Sequence, residues 1–357
     1  MSILGVDHVE FSVADARQSA AQLARVFGFR VLGRGGPETG AGDARSVLLG
    51  QGEARVLLTS GLNAAHPASG YVARHGDGVS AVAFRTDDAA GAFADAVAAG
   101  ASPIAPPTVS EDGSGSMTVA SVSGFGDVEH RLVERHGAAD GLPGVAAEPG
   151  PARAEGLVQR IDHAAACVPG GTLEATALFY EKAFGFRLIF EEYIEVGAQA
   201  MFSKVVQSPS GGATFTFLEP DLSHRPGQID DFLAWHDGPG VQHLALATED
   251  IAETVGMLSG RGVEFAPTPP SYYDMLDERL GAADVPVDRL APLGILVDRD
   301  HWGRMYQIFA TSTHIRRTFF WELIERHGSR TFGTSNIPAL YAAKERELAA
   351  FRETTEA

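Results

Sequence analysis

Three residues in the second half of the chain are of types that bind transition metals: His163 in "IDHAAACV", His243 in "GVQHLALA" and Glu322 in "FFWELIERHG". Their segments recur in the first half, in the same order, as "VDHVEFSV", "GVSAVAFRTDD" and "HRLVERHG". The matched positions there hold His8, Ala81 and Arg131. Two imidazoles and one carboxylate are the donor set that holds Fe(II) in non-haem oxygenases, leaving three coordination positions for substrate and dioxygen. Alanine removes a donor, and arginine puts a positive charge where a cation would sit. A metal is therefore expected in the second half and not in the first.

Each of these residues also has an ordinary reading. Any one of the twelve histidines is more often a surface or satisfied core residue than a ligand. A structural zinc site is another use for them, but such sites take four ligands and favour cysteine, and the chain has only Cys167. Glu322, inside the apolar "TFFWELI", is harder to account for, because an interior carboxylate is costly unless paired or metal-bound. Strand alternation supports the grouping: His163, Ala165 and Cys167 share one face, and His243, Ala245 and Ala247 share another. Trp321 then points away from Glu322 and is expected to pack.

The elements that must position these residues form a long internal repeat. "FGFR" occurs at Phe27–Arg30 and again at Phe184–Arg187, ending the helical patterns "ADARQSAAQLARVFG" and "LEATALFYEKAFG". Gly28 and Gly185 are natural helix stops. "FGFR" is expected to be a helix end packed on its sheet in both halves. A second matched pair opens at His75 and His236. Between the halves, residues 137–156 are dense in Gly, Pro and Ala and read as a linker. This gives a first domain at 1–136, a linker at 137–156 and a second domain at 157–357, with "NIPALYAAKERELAAF" as a C-terminal helix. No Gly-rich phosphate loop follows a first strand, which excludes a doubly wound sheet. The predicted class is α+β, with curved, mainly antiparallel sheets closing around a cavity.

The bulk properties narrow the partners. The net charge is −18 over 357 residues, which argues against nucleic acid or an anionic membrane as partner. No apolar run approaches the roughly 20 residues that span a bilayer. The start "MSILGVDHVEF" does not read as an export leader, and one cysteine suits a reducing cytoplasm. The sequence does not fix the oligomeric state; a homodimer is the oligomer to test.

At "GVQHLAL", "ILVDRDHWGRMYQIF", "FFWELIERHG" and "TFGTSNIPALYAA" the chain resembles the 4-hydroxyphenylpyruvate dioxygenase family, within the vicinal-oxygen-chelate fold. That resemblance covers nearly the whole chain. It implies two similar half-barrel domains, each of two βαβββ modules, with a C-terminal helix covering the site. It implies Fe(II) held by His163, His243 and Glu322, a silent first half, and 4-hydroxyphenylpyruvate and O2 as substrates. The family has two activities, both oxidatively decarboxylating the 2-oxo acid. One then oxidises the ring and yields homogentisate; the other hydroxylates the benzylic carbon and yields 4-hydroxymandelate.

Three positions separate the chain from the ring-oxidising pattern. Its strand reads "FTFLEP", with Thr216 and Leu218 in place of Pro and Asn, and its last helix opens "SNI", with Ile337 in place of Phe. These changes resemble the 4-hydroxymandelate synthase branch, whose product would feed 4-hydroxyphenylglycine for antibiotic biosynthesis. The resemblance further implies a substrate pocket of Ser203, Thr216, Leu218, Gln228, Gln242, Gln307, Phe309, Phe332 and Ile337. Within it, Gln307 takes a catalytic role, holding the carboxylate or an oxygen ligand. Ser203 and Thr216 meet the phenol, and Tyr341 either closes the pocket or packs. The alternatives are homogentisate formation, an extradiol ring-cleaving dioxygenase, and a non-catalytic small-molecule binding protein.

Overall fold

A computed structural model describes residues 3–111, 115–137, 141–149, 156–281, 285–333, 335–340 and 342–343. The repeat in the sequence is a repeat in the architecture. In the first half, strand Ile3–Ser12 pairs parallel with Ala54–Gly61 and antiparallel with Gly78–Thr86. In the second half, Arg160–Cys167 pairs parallel with Thr214–Pro220 and antiparallel with Gly240–Ala247. Each of these central strands belongs to one large curled sheet, and the remaining pairings are mainly antiparallel. The second sheet continues from Gly240–Ala247 through Phe320–His327 and Arg304–Phe309 to Leu296–Arg299. On its other side, Thr214–Pro220 is followed by Gln199–Gln207 and Arg187–Val196.

Local signals set the helices where the pattern placed them. Helix Ala16–Phe27 starts at Asp15, whose carboxylate accepts the backbone N–H of Arg17 and Gln18, and stops at Gly28 with φ 79°. Helix Leu173–Phe184 stops at Gly185 with φ 68°. The phenylalanines at these ends do more than seal their own sheets. Phe27 lies 5.7 Å from the Trp321 ring of the second half, and Phe184 lies 5.4 Å from Phe84 of the first. "FGFR" thus fastens each half to the other, and burying one such ring contributes about 1.5–3 kcal/mol. Trp321 packs on Phe11, Phe27 and Phe319, on the side away from Glu322, as alternation requires.

The stretch expected as a plain linker contains a strand. Val145–Ala147 pairs with Gly33–Gly35 at the edge of the first sheet. Those glycines explain it, since a Cβ on Gly33 would sit 2.7 Å from a Val145 methyl and 2.8 Å from the Ala146 carbonyl. The C-terminal segment is helical at 336–340 and 342–343; Tyr341 and the rest of that predicted helix lie outside the described residues. Among the described residues, no helix is long and apolar enough to cross a membrane.

Candidate metal centre

The strand register alone brings the three metal-type residues to one place. His163 lies opposite Ala245, Ala245 opposite Glu322, and Ala165 opposite His243. All three side chains therefore rise from the same face of three adjacent strands, with only methyl groups between them. Nε2 of His163 is 3.4 Å from Oε2 of Glu322, and Nε2 of His243 is 3.3 Å from the same oxygen. The ligand atoms of the three lie within 4.8 Å of one another, and among the described residues no other group of His, Cys, Asp and Glu converges in this way. His163 and Glu322 are buried, with exposures of 4% and 2%.

Two β-bulges orient the rings, and alternation could not have revealed them. The register slips between Ile161 and His163, leaving Asp162 as the extra residue, and again opposite the Ala165–Ala166 step, leaving Gln242 as the extra residue. A bulge re-aims the side chain it carries. His163 Nδ1 donates to Asp162 Oδ1 at 3.0 Å, and His243 Nδ1 donates to Gln242 Oε1 at 3.2 Å. Both Nε2 atoms are thereby left to face Glu322. Gln242, expected in the substrate pocket, is also the hydrogen-bond partner of a candidate ligand.

The electrostatics suit a cation. Burial alone would push the Glu322 carboxyl up, but the facing imidazoles outweigh it and hold it at about 2. Burial lowers His163, yet the Glu322 and Asp162 carboxylates leave it above the ordinary histidine value. His243 falls below that value, chiefly through burial, with only partial opposition from Glu322. An ionised carboxylate facing two imidazoles that can release protons fits a divalent ion. This donor set, with nitrogen and oxygen and no thiolate, suits iron.

The matched positions of the first half show the opposite design. Arg131, aligned with Glu322, pairs with Glu10 and donates to Glu129 Oε1 at 2.7 Å. Ala81 stands opposite Glu10, which also accepts from Thr59. A guanidinium with its own counter-ions stands at the position matched to Glu322, beside the retained His8.

The concave face around the second-half cluster holds most of the other candidate residues. Thr216 is opposite Ala165, Leu218 opposite Cys167, and Ser203 opposite Leu218, so all three share the His163 face. Phe309 is opposite Glu322, with Gln307 two residues along the same face. The Ser203 and Thr216 hydroxyls and the Gln307 Oε1 are buried without a hydrogen-bond partner. The Gln307 amide nitrogen leans toward the Gly333 carbonyl at 3.5 Å, so the atom left over is an acceptor. Phe332 meets His163 edge-on at 5.0 Å, and Phe309 is 6.0 Å from His243. Ile337 and Leu218 pack on one apolar cluster with Cys167, Met201 and Phe232. Gln228 is the exception: it is exposed at the first position of helix Gln228–His236.

Asp162 and Arg326 join the site beside the residues that the sequence pattern points to. Their signal was present, since Asp-His and "ERHG" each occur in both halves. The glutamate of "ERHG" accepts the first backbone N–H of a helix in each half, Glu134 from Ala89 and Glu325 from Ile251.

Comparison with known proteins gives a consistent picture. The family model of the Glyoxalase/Bleomycin resistance protein/Dioxygenase superfamily matches residues 5–130 and 160–276. A 4-hydroxyphenylpyruvate dioxygenase of Yarrowia lipolytica is 33% identical over 367 residues, covering 98% of this chain and 93% of its own. That of Caenorhabditis elegans is 33% identical over 362 residues, covering 97% and 92%. Among solved structures, a mutant of 4-hydroxymandelate synthase from Streptomyces coelicolor matches with TM-score 0.88 and 44% identity, over 97% of this chain and 99% of that one.

Proposed function

We propose a specific reaction for this chain, which belongs to the Glyoxalase/Bleomycin resistance protein/Dioxygenase superfamily and, within it, to the 4-hydroxyphenylpyruvate dioxygenase family. The reaction is the conversion of 4-hydroxyphenylpyruvate and O2 to 4-hydroxymandelate and CO2. In this reading residues 157–357 are the catalytic domain, 137–156 the connection and 1–136 a domain without metal. His163, His243 and Glu322 hold Fe(II). When bound, Fe(II) would supply Lewis acidity toward the 2-oxo acid and a site at which dioxygen is activated, while the oxidation of the substrate itself supplies the electrons that reduce dioxygen.

The chain's own residues bind and orient the substrate. Ser203, Thr216 and Gln307 present buried polar atoms without partners, and such atoms call for a ligand. The phenol end of an arylpyruvate is of the right kind to satisfy the two hydroxyls, and the Gln307 amide meets the carboxylate end only when it turns over to present its N–H. Hydroxyls at Ser203 and Thr216 can both give and accept a hydrogen bond, which suits a phenol. Phe332 and Phe309, beside the two imidazoles, flank the substrate ring and exclude water.

The choice of product rests on Leu218 and Ile337, which pack on one apolar cluster and which we read as a wall of the site. It offers the ring no hydrogen bond and no aromatic face, leaving the ring free to turn so that the benzylic CH2 lies nearest the metal. The 44% identity to a 4-hydroxymandelate synthase mutant supports this choice. The names of the curated relatives favour a second reading, in which the same substrate gives homogentisate. The two products are isomers, so the test is proton NMR of the product made by the purified chain with Fe(II), ascorbate and 4-hydroxyphenylpyruvate. A benzylic methine with four ring protons in two equivalent pairs is expected. A methylene with three ring protons would identify homogentisate and overturn the choice. An extradiol enzyme or a binding protein would release no CO2 from this substrate.

A further inference from the structure

We infer that Asp162 and Arg326 are positioning residues for His163, and that they make the two imidazoles of the centre unequal as ligands. The inference rests on the reading of His163, His243 and Glu322 as metal ligands. Asp162 is the extra residue of a bulge, which turns its carboxylate toward the His163 ring. Arg326 clasps that carboxylate, with Nη2 2.9 Å from Oδ1 and Nε 3.1 Å from each oxygen. Nη1 of the same guanidinium donates to the Thr331 carbonyl at 2.6 Å. The guanidinium also lies 5.0 Å from the Phe332 ring centre, and Phe332 in turn meets His163 edge-on at 5.0 Å. One arginine thus holds both the acceptor for Nδ1 and the aromatic ring that leans on the imidazole.

A carboxylate that accepts an imidazole N–H fixes the tautomer and makes the other ring nitrogen a stronger donor to a metal. His163 has such a partner. His243 has only the neutral amide of Gln242, at the longer distance of 3.2 Å. His163 is therefore the anchored, stronger ligand and His243 the more easily displaced one.

The first half supplies an internal control. Asp7 is again the extra residue of a bulge, His8 Nδ1 is 2.8 Å from Asp7 Oδ1, and Arg135 donates to both Asp7 oxygens at 2.7 and 2.8 Å. The same arginine–aspartate–histidine brace thus stands where Ala81 and Arg131 preclude a metal; Asp162 additionally accepts from Arg160 Nη2 at 3.0 Å, where the matched residue of the first half is Gly5. A structural role predicts comparable effects of removing Asp7 or Asp162; a positioning role does not.

The experiment is titration of the full-length chain with Co(II), followed by its visible absorption, alongside thermal denaturation, for wild type, Asp162→Asn, Asp7→Asn and Glu322→Gln. Both aspartate variants should lose thermal stability, Asp162→Asn slightly more because it also gives up the half-exposed pair with Arg160. Asp162→Asn should bind Co(II) 10–100-fold more weakly and with an altered spectrum, while Asp7→Asn matches wild type in both. Arg326→Lys keeps the charge without the fork and should fall between; it carries the test if Asp162→Asn does not fold. Asp162→Asn or Arg326→Lys binding Co(II) as wild type does, or Asp7→Asn losing as much affinity as Asp162→Asn, would overturn the inference. No uptake by wild type, or unchanged uptake by Glu322→Gln, would instead remove the ligand assignment and this inference with it.

Discussion

Replacing Ile337 by phenylalanine tests the proposal that the side chains of Leu218 and Ile337 control the product. Ile337 packs with Leu218 on a cluster of Cys167, Ile194, Met201, Ile229 and Phe232. A larger ring added to a close-packed cluster costs about 1–3 kcal/mol, and part of that strain must fall on whatever shares the pocket. If about 1.4 kcal/mol of it penalises the ring orientation that exposes the benzylic carbon, relative to the one that exposes the ring, the product ratio moves about tenfold. The expected outcome is therefore a rise of about tenfold in homogentisate relative to 4-hydroxymandelate, read by proton NMR, together with a lower urea midpoint. A lower midpoint with an unchanged ratio would show that the ring feels the new side chain nowhere in its reaction path, and would refute the reasoning.

Other expectations follow from the same structure. Trp321→Ala removes the ring that joins Phe11, Phe27 and Phe319 and should cost about 3 kcal/mol in urea denaturation; because the indole faces away from Glu322, metal stoichiometry should not change, and a lost equivalent would contradict that orientation. Burial holds His130 at about 4 in the fold, against about 6.5 for an unfolded histidine. The unfolded chain therefore takes up a proton between pH 6.5 and 4 that the folded chain refuses, and stability should drop by up to about 1.4 kcal/mol per pH unit across that window. His130→Phe should flatten this slope by one proton in urea midpoints measured against pH; an unchanged slope would assign the effect elsewhere. Adding metal at 100 times its dissociation constant should stabilise the wild-type chain by about 2.7 kcal/mol and Glu322→Gln by far less, as thermal melts would show.

What the sequence revealed and what it hid divide along physical lines. His163, His243 and Glu322 were legible because alternation fixes the face of a regular strand and the repeat showed which positions to compare. The role of Gln242 was not, because alternation fails at a bulge, and the one opposite the Ala165–Ala166 step is set by pairing between distant segments. Gln228 matched the family pattern, but a match in type does not say which side of a helix start faces solvent. The strand Val145–Ala147 was hidden in a linker-like composition, because its partners, Gly33, Arg34 and Gly35, lie far back in the chain. "FGFR" signalled a helix end correctly; only the packing of Phe27 on Trp321 and Phe184 on Phe84 shows that these ends hold the two halves together.

The most direct measurement is iron content by anaerobic Fe(II) titration of the wild-type chain beside Glu322→Gln and Arg131→Ala. One equivalent in wild type, one in Arg131→Ala and a lost or severely weakened equivalent in Glu322→Gln is the predicted result. Iron retained by Glu322→Gln, or lost from Arg131→Ala, would contradict a single centre built from the second half.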